Sequence, residues 1–165
     1  MGGHIKVESE VNKGSRFYFS LPVKKDSEVI EPASPIIIQN EVSPSWPGKK
    51  ILIVEDDSSN FLLMNKYLED SGAAILRAEN GIDAMKIVFS DKKPDLIIMD
   101  IKLPGIDGYE VIRQIREKNK KIPIIVNTAY AMEGDRKKSI EAGCNEYISK
   151  PTERKLMIHL INKFL

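Results

Sequence analysis

A chain of 165 residues, 42% hydrophobic and 30% charged, corresponds to about one ordinary domain plus a remainder. That is enough apolar surface for one core, and it excludes wholesale disorder. Lys and Arg number 25 against 24 Asp and Glu, so a formal charge of +1 leaves no general pull toward nucleic acid or an anionic membrane. A single cysteine, Cys144, excludes an internal disulfide framework or multi-cysteine metal site and suits a reducing compartment. No apolar run approaches the roughly 18 residues of a membrane span, and Met1-Gly2-Gly3-His4 lacks the pattern of a leader peptide.

Residues 1–23 read as two strands. Ile5 and Val7 alternate with Lys6, Glu8 and Glu10, and Phe17, Phe19 and Leu21 alternate with Arg16, Tyr18 and Ser20. Asn12-Lys13-Gly14 supplies the turn between them, and Pro22 ends the second strand. A lone hairpin is marginal in water, so its Phe17/Phe19/Leu21 face calls for a partner. Residues 24–48 read as an extended linker, since four of the nine prolines fall there, at positions 32, 35, 44 and 47. Within it, Ile36-Ile37-Ile38 is a candidate short strand, and Trp46 is expected to pack over a domain edge.

From Lys49 onward the pattern is regular. Ile51 to Val54 is a continuous apolar run, as in a strand buried on both faces. A helix follows, capped by Asp57 or Ser58, carrying Phe61, Met64 and Leu68 and stopped at Gly72. Ala74–Ala78 is a second strand, and Asn80-Gly81 opens a helix with Ala84, Ile87 and Val88 inward. Asp95–Met99 is the third strand, and Tyr109–Lys118 forms a helix around Val111, Ile112 and Ile115. Ile124-Ile125-Val126 lies in the fourth strand, followed by a weaker helix, Ala131–Ala142, with Gly134 inside it. Glu146–Ser149 is the last strand, and Thr152 is expected to cap a helix to Leu165 with Met157, Leu160, Ile161 and Phe164 on one stripe. Five strand–helix units imply an α/β domain, a doubly wound parallel five-stranded sheet covered on both faces.

In such sheets chemistry collects at the carboxyl ends of the strands. Those ends carry Glu55-Asp56-Asp57, Asp100, Asn127-Thr128 and Lys150-Pro151. Carboxylates brought together repel one another unless a cation intervenes, and an all-oxygen set without His or Cys points to a hard ion, Mg²⁺ above others. Lys150 offers further positive charge, and Asp100 is then placed to act as a nucleophile toward phosphorus.

These residues are where a family becomes recognisable. Lys49–Leu165 resembles the receiver domain of two-component response regulators and hybrid sensor kinases, a flavodoxin-like fold. The likeness rests on the runs Ile51 to Asp57, Pro94 to Asp100 with Pro104-Gly105-Ile106-Asp107-Gly108 after it, Pro123 to Ala129, and Ala142-Gly143 with Tyr147 to Pro151, each in the right place in the strand–helix order. The resemblance implies that Asp100 is the phosphoacceptor in a phosphorelay. It implies Mg²⁺ ligands in Glu55, Asp56, Asp100 and the backbone carbonyl of Lys102. Thr128 corresponds to the hydroxyl that moves to the phosphoryl oxygen, Tyr147 to the aromatic side chain that follows it, and Lys150 to the family lysine, with a cis bond to Pro151. Asp57 falls one position past the acidic pair and is left as a helix cap. In such domains two positions tune acyl-phosphate lifetime, and the resemblance puts Lys102 and Tyr130 there; neither is a carboxylate or amide that would orient an attacking water, so slow hydrolysis is expected. The helix around Gly134 is expected to be the element most easily biased.

Residues 1–23 resemble the final two strands of a sensor histidine kinase ATP-binding domain, on Met1 to Ile5, Glu8-Ser9, Gly14-Ser15 and Phe17 to Pro22. The order kinase remnant, linker (24–48), receiver (49–165) is that of a hybrid kinase. The chain carries neither the ATP-binding motifs nor a phosphorylatable histidine motif, since His4 begins a strand and His159 lies mid-helix. Expected partners are a histidine kinase dimerisation domain and a histidine phosphotransfer protein, without nucleic acid or membrane contact. The location implied is cytoplasmic, whether or not the parent kinase is membrane-anchored. The hairpin is expected to dock, to pair with a second copy in a homodimer, or to fray. Leu156 and Ile158 are expected to extend a partner surface. The rival readings are an aspartyl-phosphate hydrolase, an unphosphorylated interaction module and, more distantly, a flavin-binding domain. The hydrolase calls for an Asp where Lys102 stands, and the flavin domain for a phosphate loop that the first strand lacks.

Overall fold

The structure, a computed structural model, describes residues 3–10, 13–20, 44–129 and 133–165. The candidate strand Ile36–Ile38, most of the linker, Leu21, Tyr130 and the start of the helix at Ala131 lie outside the described residues. The chain divides into two compact units, Met1–Ile37 and Ile38–Leu165.

In the first unit β1 (His4–Glu10) pairs antiparallel with β2 (Gly14–Ser20). The register sets Ile5 opposite Phe19 and Val7 opposite Phe17, so all four project from one face. Their exposures run from 57% to 79%. The other face is polar, and Tyr18 donates to Glu8 across the strands at 3.2 Å.

The second unit holds β3 (Lys50–Val54), α1 (Ser58–Leu68), β4 (Ala74–Ala78), α2 (Gly81–Val88), β5 (Leu96–Met99), α3 (Gly108–Lys118), β6 (Ile124–Thr128), α4 (Glu133–Ala142), β7 (Glu146–Ser149) and α5 (Arg154–Asn162). All five strands are parallel in the order β4-β3-β5-β6-β7. Alternate residues of the central strands supply two cores. Leu52, Val54, Ile97, Met99, Ile124 and Val126 pack beneath α2 and α3, whereas Ile51, Ile53, Leu96, Ile98 and Ile125 pack beneath α1 and α5. A strand that serves both cores has no polar face, which is why Ile51–Val54 reads as an unbroken apolar run.

The helix starts follow local chemistry. Asp57, Asn80 and Asp107 each accept a hydrogen bond from a first-turn backbone N–H, at 2.8, 2.9 and 3.0 Å. α5 departs from expectation. It spans Arg154–Asn162, and its cap position is Glu153, which makes no side-chain capping bond. Thr152 turns inward instead, donating its hydroxyl to Asn127 at 2.9 Å. Ile158 is also corrected: it is buried in the core shared with α1 and so does not extend a partner surface, while Leu156 is half-buried against the same core.

Trp46 is 4% exposed and belongs to the core beneath α1 and α5. Its indole N–H donates to Asn162 at 2.9 Å, and its backbone N–H to the Ser71 carbonyl at 2.6 Å. The last residues of the stretch read as linker, 44–48, are therefore seated on the domain. Replacing Trp46 by Phe leaves Asn162 without this donor and removes part of the packing. The expected loss is about 1–2 kcal/mol, read as a lower urea midpoint by circular dichroism.

Candidate functional site

Strand register builds the site. Val54 pairs with Met99, so the next residues, Glu55 and Asp100, leave neighbouring strands side by side. Asp100 donates its backbone N–H to the Val54 carbonyl at 3.0 Å, and Lys150 donates its own to the Thr128 carbonyl at 2.8 Å. Glu55 and Asp100 are only 1% and 6% exposed. Two buried carboxylates repel, and a cation must lie between them. Lys150 supplies it: its Nζ donates to Glu55 Oε2 and Asp100 Oδ2, at 2.7 Å each. Burial alone would pull the Lys150 ammonium down, but hydrogen bonds to Asp100 and Glu55 and their two charges outweigh it and raise it above its ordinary value.

The remaining oxygens are held as well. Asn60, on the first turn of α1, donates to Glu55 Oε1 at 3.0 Å, and the backbone N–H of Lys102 donates to Asp100 Oδ1 at 3.1 Å. Asp56 is exposed beside them, and one carboxylate oxygen from each of Glu55, Asp56 and Asp100 lies within 4.8 Å of the others. Three converging oxygen ligands with no nitrogen or sulfur donor suit a hard divalent ion, so the residues present fit Mg²⁺.

Thr128 ends β6, the strand whose carboxyl end anchors Lys150, and is buried. Tyr147 lies further back, opposite Val126, half-buried against the α2/α3 core with its hydroxyl shielded from solvent. Lys102 is exposed in the loop after Asp100, and Asp57 acts as a cap. The Lys150–Pro151 peptide is cis. His159 is an exposed helix residue. In sequence Asn60 is marked only by its place three residues after the Asp57 cap, which puts it on the turn facing Glu55. Asn127 reads as a strand end and Thr152 as a cap.

Gly108, at the start of α3, bears on the site from below. A Cβ there would lie 2.5 Å from the Asp100 carbonyl oxygen and 2.7 Å from Ile101 Cα, both backbone atoms that cannot swing away. Gly108→Ala is expected to destabilise the domain by about 2–3 kcal/mol, measured as a fall in urea midpoint, because α3 must retreat from the strand end carrying Asp100.

Residues 51–162 match the response regulator receiver domain family. The polar-differentiation response regulators DivK of Brucella anthropi and Brucella ovis are each 38% identical over 119 residues, 71% of this chain and 96% of theirs. Among solved structures, the receiver domain of the sensor histidine kinase PA1611 from Pseudomonas aeruginosa is described with a magnesium ion coordinated in its active-site cleft. It is 34% identical and superposes with a TM-score of 0.65, over 71% of this chain and 97% of that one. The chain belongs to the response regulator receiver family, the receiver domains of two-component phosphorelay signalling. Among the described residues, no helix is long and apolar enough to cross a membrane.

Proposed function

We propose that Asp100 is the phosphoacceptor. Its carboxylate attacks the phosphorus of a phosphohistidine on another protein or domain, the P–N bond breaks, the imidazole leaves and takes up a proton, and an acyl phosphate remains. The observation that carries this reading is the buried Glu55–Lys150–Asp100 arrangement at one rim, with Asp56 alongside. Glu55, Asp56, Asp100 and the Lys102 carbonyl would hold Mg²⁺, which when bound offsets the charge of the transferring phosphoryl oxygens. Lys150 provides the second positive charge and the Thr128 hydroxyl a hydrogen bond to the added group. Tyr147 then follows Thr128, passing the change to the face formed with α4.

The donors that fit are a histidine kinase dimerisation domain and a histidine phosphotransfer protein. We further read residues 1–23 as the end of a kinase ATP-binding domain in a hybrid kinase, followed by linker 24–48 and receiver 49–165. The antiparallel hairpin with one uncovered apolar face supports that reading. The receiver of a sensor histidine kinase among the similar structures accords with it. Incubation with acetyl phosphate and Mg²⁺ followed by intact mass measurement tests the assignment. One persistent phosphoryl adduct is expected. Acetyl phosphate turnover without an adduct would instead indicate a hydrolase, and no change an inert interaction module.

A further inference from the structure

Asn127 follows three apolar residues in β6, and it lies on the face beneath α1 and α5. It is 1% exposed, in line with the buried Ile125 two residues earlier. A buried amide is costly unless its hydrogen bonds are made. Its nitrogen donates to Met64 Sδ, a weak acceptor, at 3.2 Å, while its oxygen accepts the stronger bond, from Thr152 Oγ1 at 2.9 Å. An aliphatic side chain at position 127 would avoid this expense, so packing alone does not account for the amide.

The position of Thr152 does. It follows Lys150 by two residues, across the cis Pro151. The Lys150 backbone N–H is bound to the Thr128 carbonyl, and the Thr152 hydroxyl to Asn127. Two consecutive β6 residues thus grip the Lys150–Thr152 segment at both ends. From that segment the lysine side chain reaches Glu55 and Asp100. We propose that Asn127 and Thr152 are positioning residues, a buried latch that sets the placement of Lys150 between the two carboxylates and thereby the rate of phosphoryl uptake at Asp100. This rests on the phosphoacceptor reading above.

Thr152→Val keeps the side-chain shape and removes the hydroxyl; Thr152→Ser keeps the hydroxyl. The double variant Asn127→Leu/Thr152→Val removes both polar partners and so leaves no orphaned buried group. Phosphoryl uptake from acetyl phosphate with Mg²⁺ is followed by intact mass. Reductive methylation of Lys150, followed by peptide mass spectrometry without Mg²⁺, reports how firmly the ammonium is held. Thr152→Val and the double variant are expected to take up phosphoryl at least about tenfold more slowly and to methylate at Lys150 faster, while Thr152→Ser retains native behaviour. A double variant that keeps a native-like thermal midpoint yet remains slow separates placement from folding. Native uptake and native methylation in Thr152→Val, or native uptake in the double variant, would overturn the latch. Absence of any adduct on the native protein would instead overturn the phosphoacceptor reading, and the methylation rates would still decide the latch.

Discussion

Asp100→Asn is expected to abolish the phosphoryl adduct while leaving the domain folded and, without Mg²⁺, slightly more stable. On the phosphoacceptor reading the nucleophile is lost, because an amide oxygen has no comparable reactivity toward phosphorus. The gain in stability follows from the charge count at the rim. In the native protein two buried carboxylates share one ammonium, at 2.7 Å each. The neutral amide leaves Lys150 paired with Glu55 alone, and one buried negative charge disappears. The increment should be about 1 kcal/mol, since the amide oxygen still accepts hydrogen bonds. On the proposed ligand set, Mg²⁺ binding is expected to survive, weakened, through Glu55, Asp56 and the Lys102 carbonyl. Intact mass, urea denaturation and calorimetric titration with Mg²⁺ read the three parts separately. Labelling that persists in the variant would remove Asp100 from its assigned role.

Lys150→Met acts in the opposite sense and more strongly. Methionine fills much of the aliphatic volume but leaves Glu55 and Asp100 facing one another without a cation. Breaking a buried pair by removing one partner costs about 3–5 kcal/mol; because the Lys150 side chain retains 17% exposure, the lower end is expected. The same variant should gain more from Mg²⁺ than the native protein does, because the divalent ion then relieves repulsion that the ammonium otherwise relieves. The measurement is the Mg²⁺-induced shift in thermal midpoint, variant against native. An equal shift in both proteins would mean that the lysine and the ion do not act on the same carboxylates.

Much of this was legible in the sequence because the α/β unit writes its burial directly into residue type. Ile51–Val54 and Leu96–Met99 serve two cores and carry no polar residue, and Asp57, Asn80 and Asp107 stand where helix-opening N–H groups need acceptors. The acidic residues could be brought to one rim from strand order alone. What escaped were residues whose type suits two roles. Threonine ahead of a helix is a common cap, and nothing local reveals that Thr152 bonds instead to a strand residue 25 positions earlier. Ile158 sits outside the simple stripe of α5, yet the helix is sunk far enough between its neighbours to cover it. Trp46 follows a proline-rich stretch, and its bond to Asn162 spans 116 residues, beyond any local pattern.

The Trp46–Asn162 tie has a mechanical consequence. The strands run from Trp46 toward the acidic rim, and α5 returns from the rim to Asn162. Entry to the domain and the end of α5 therefore meet at one pole, with the clustered carboxylates at the other. The acidic rim is thus reached without crossing residues 44–48 or the end of α5.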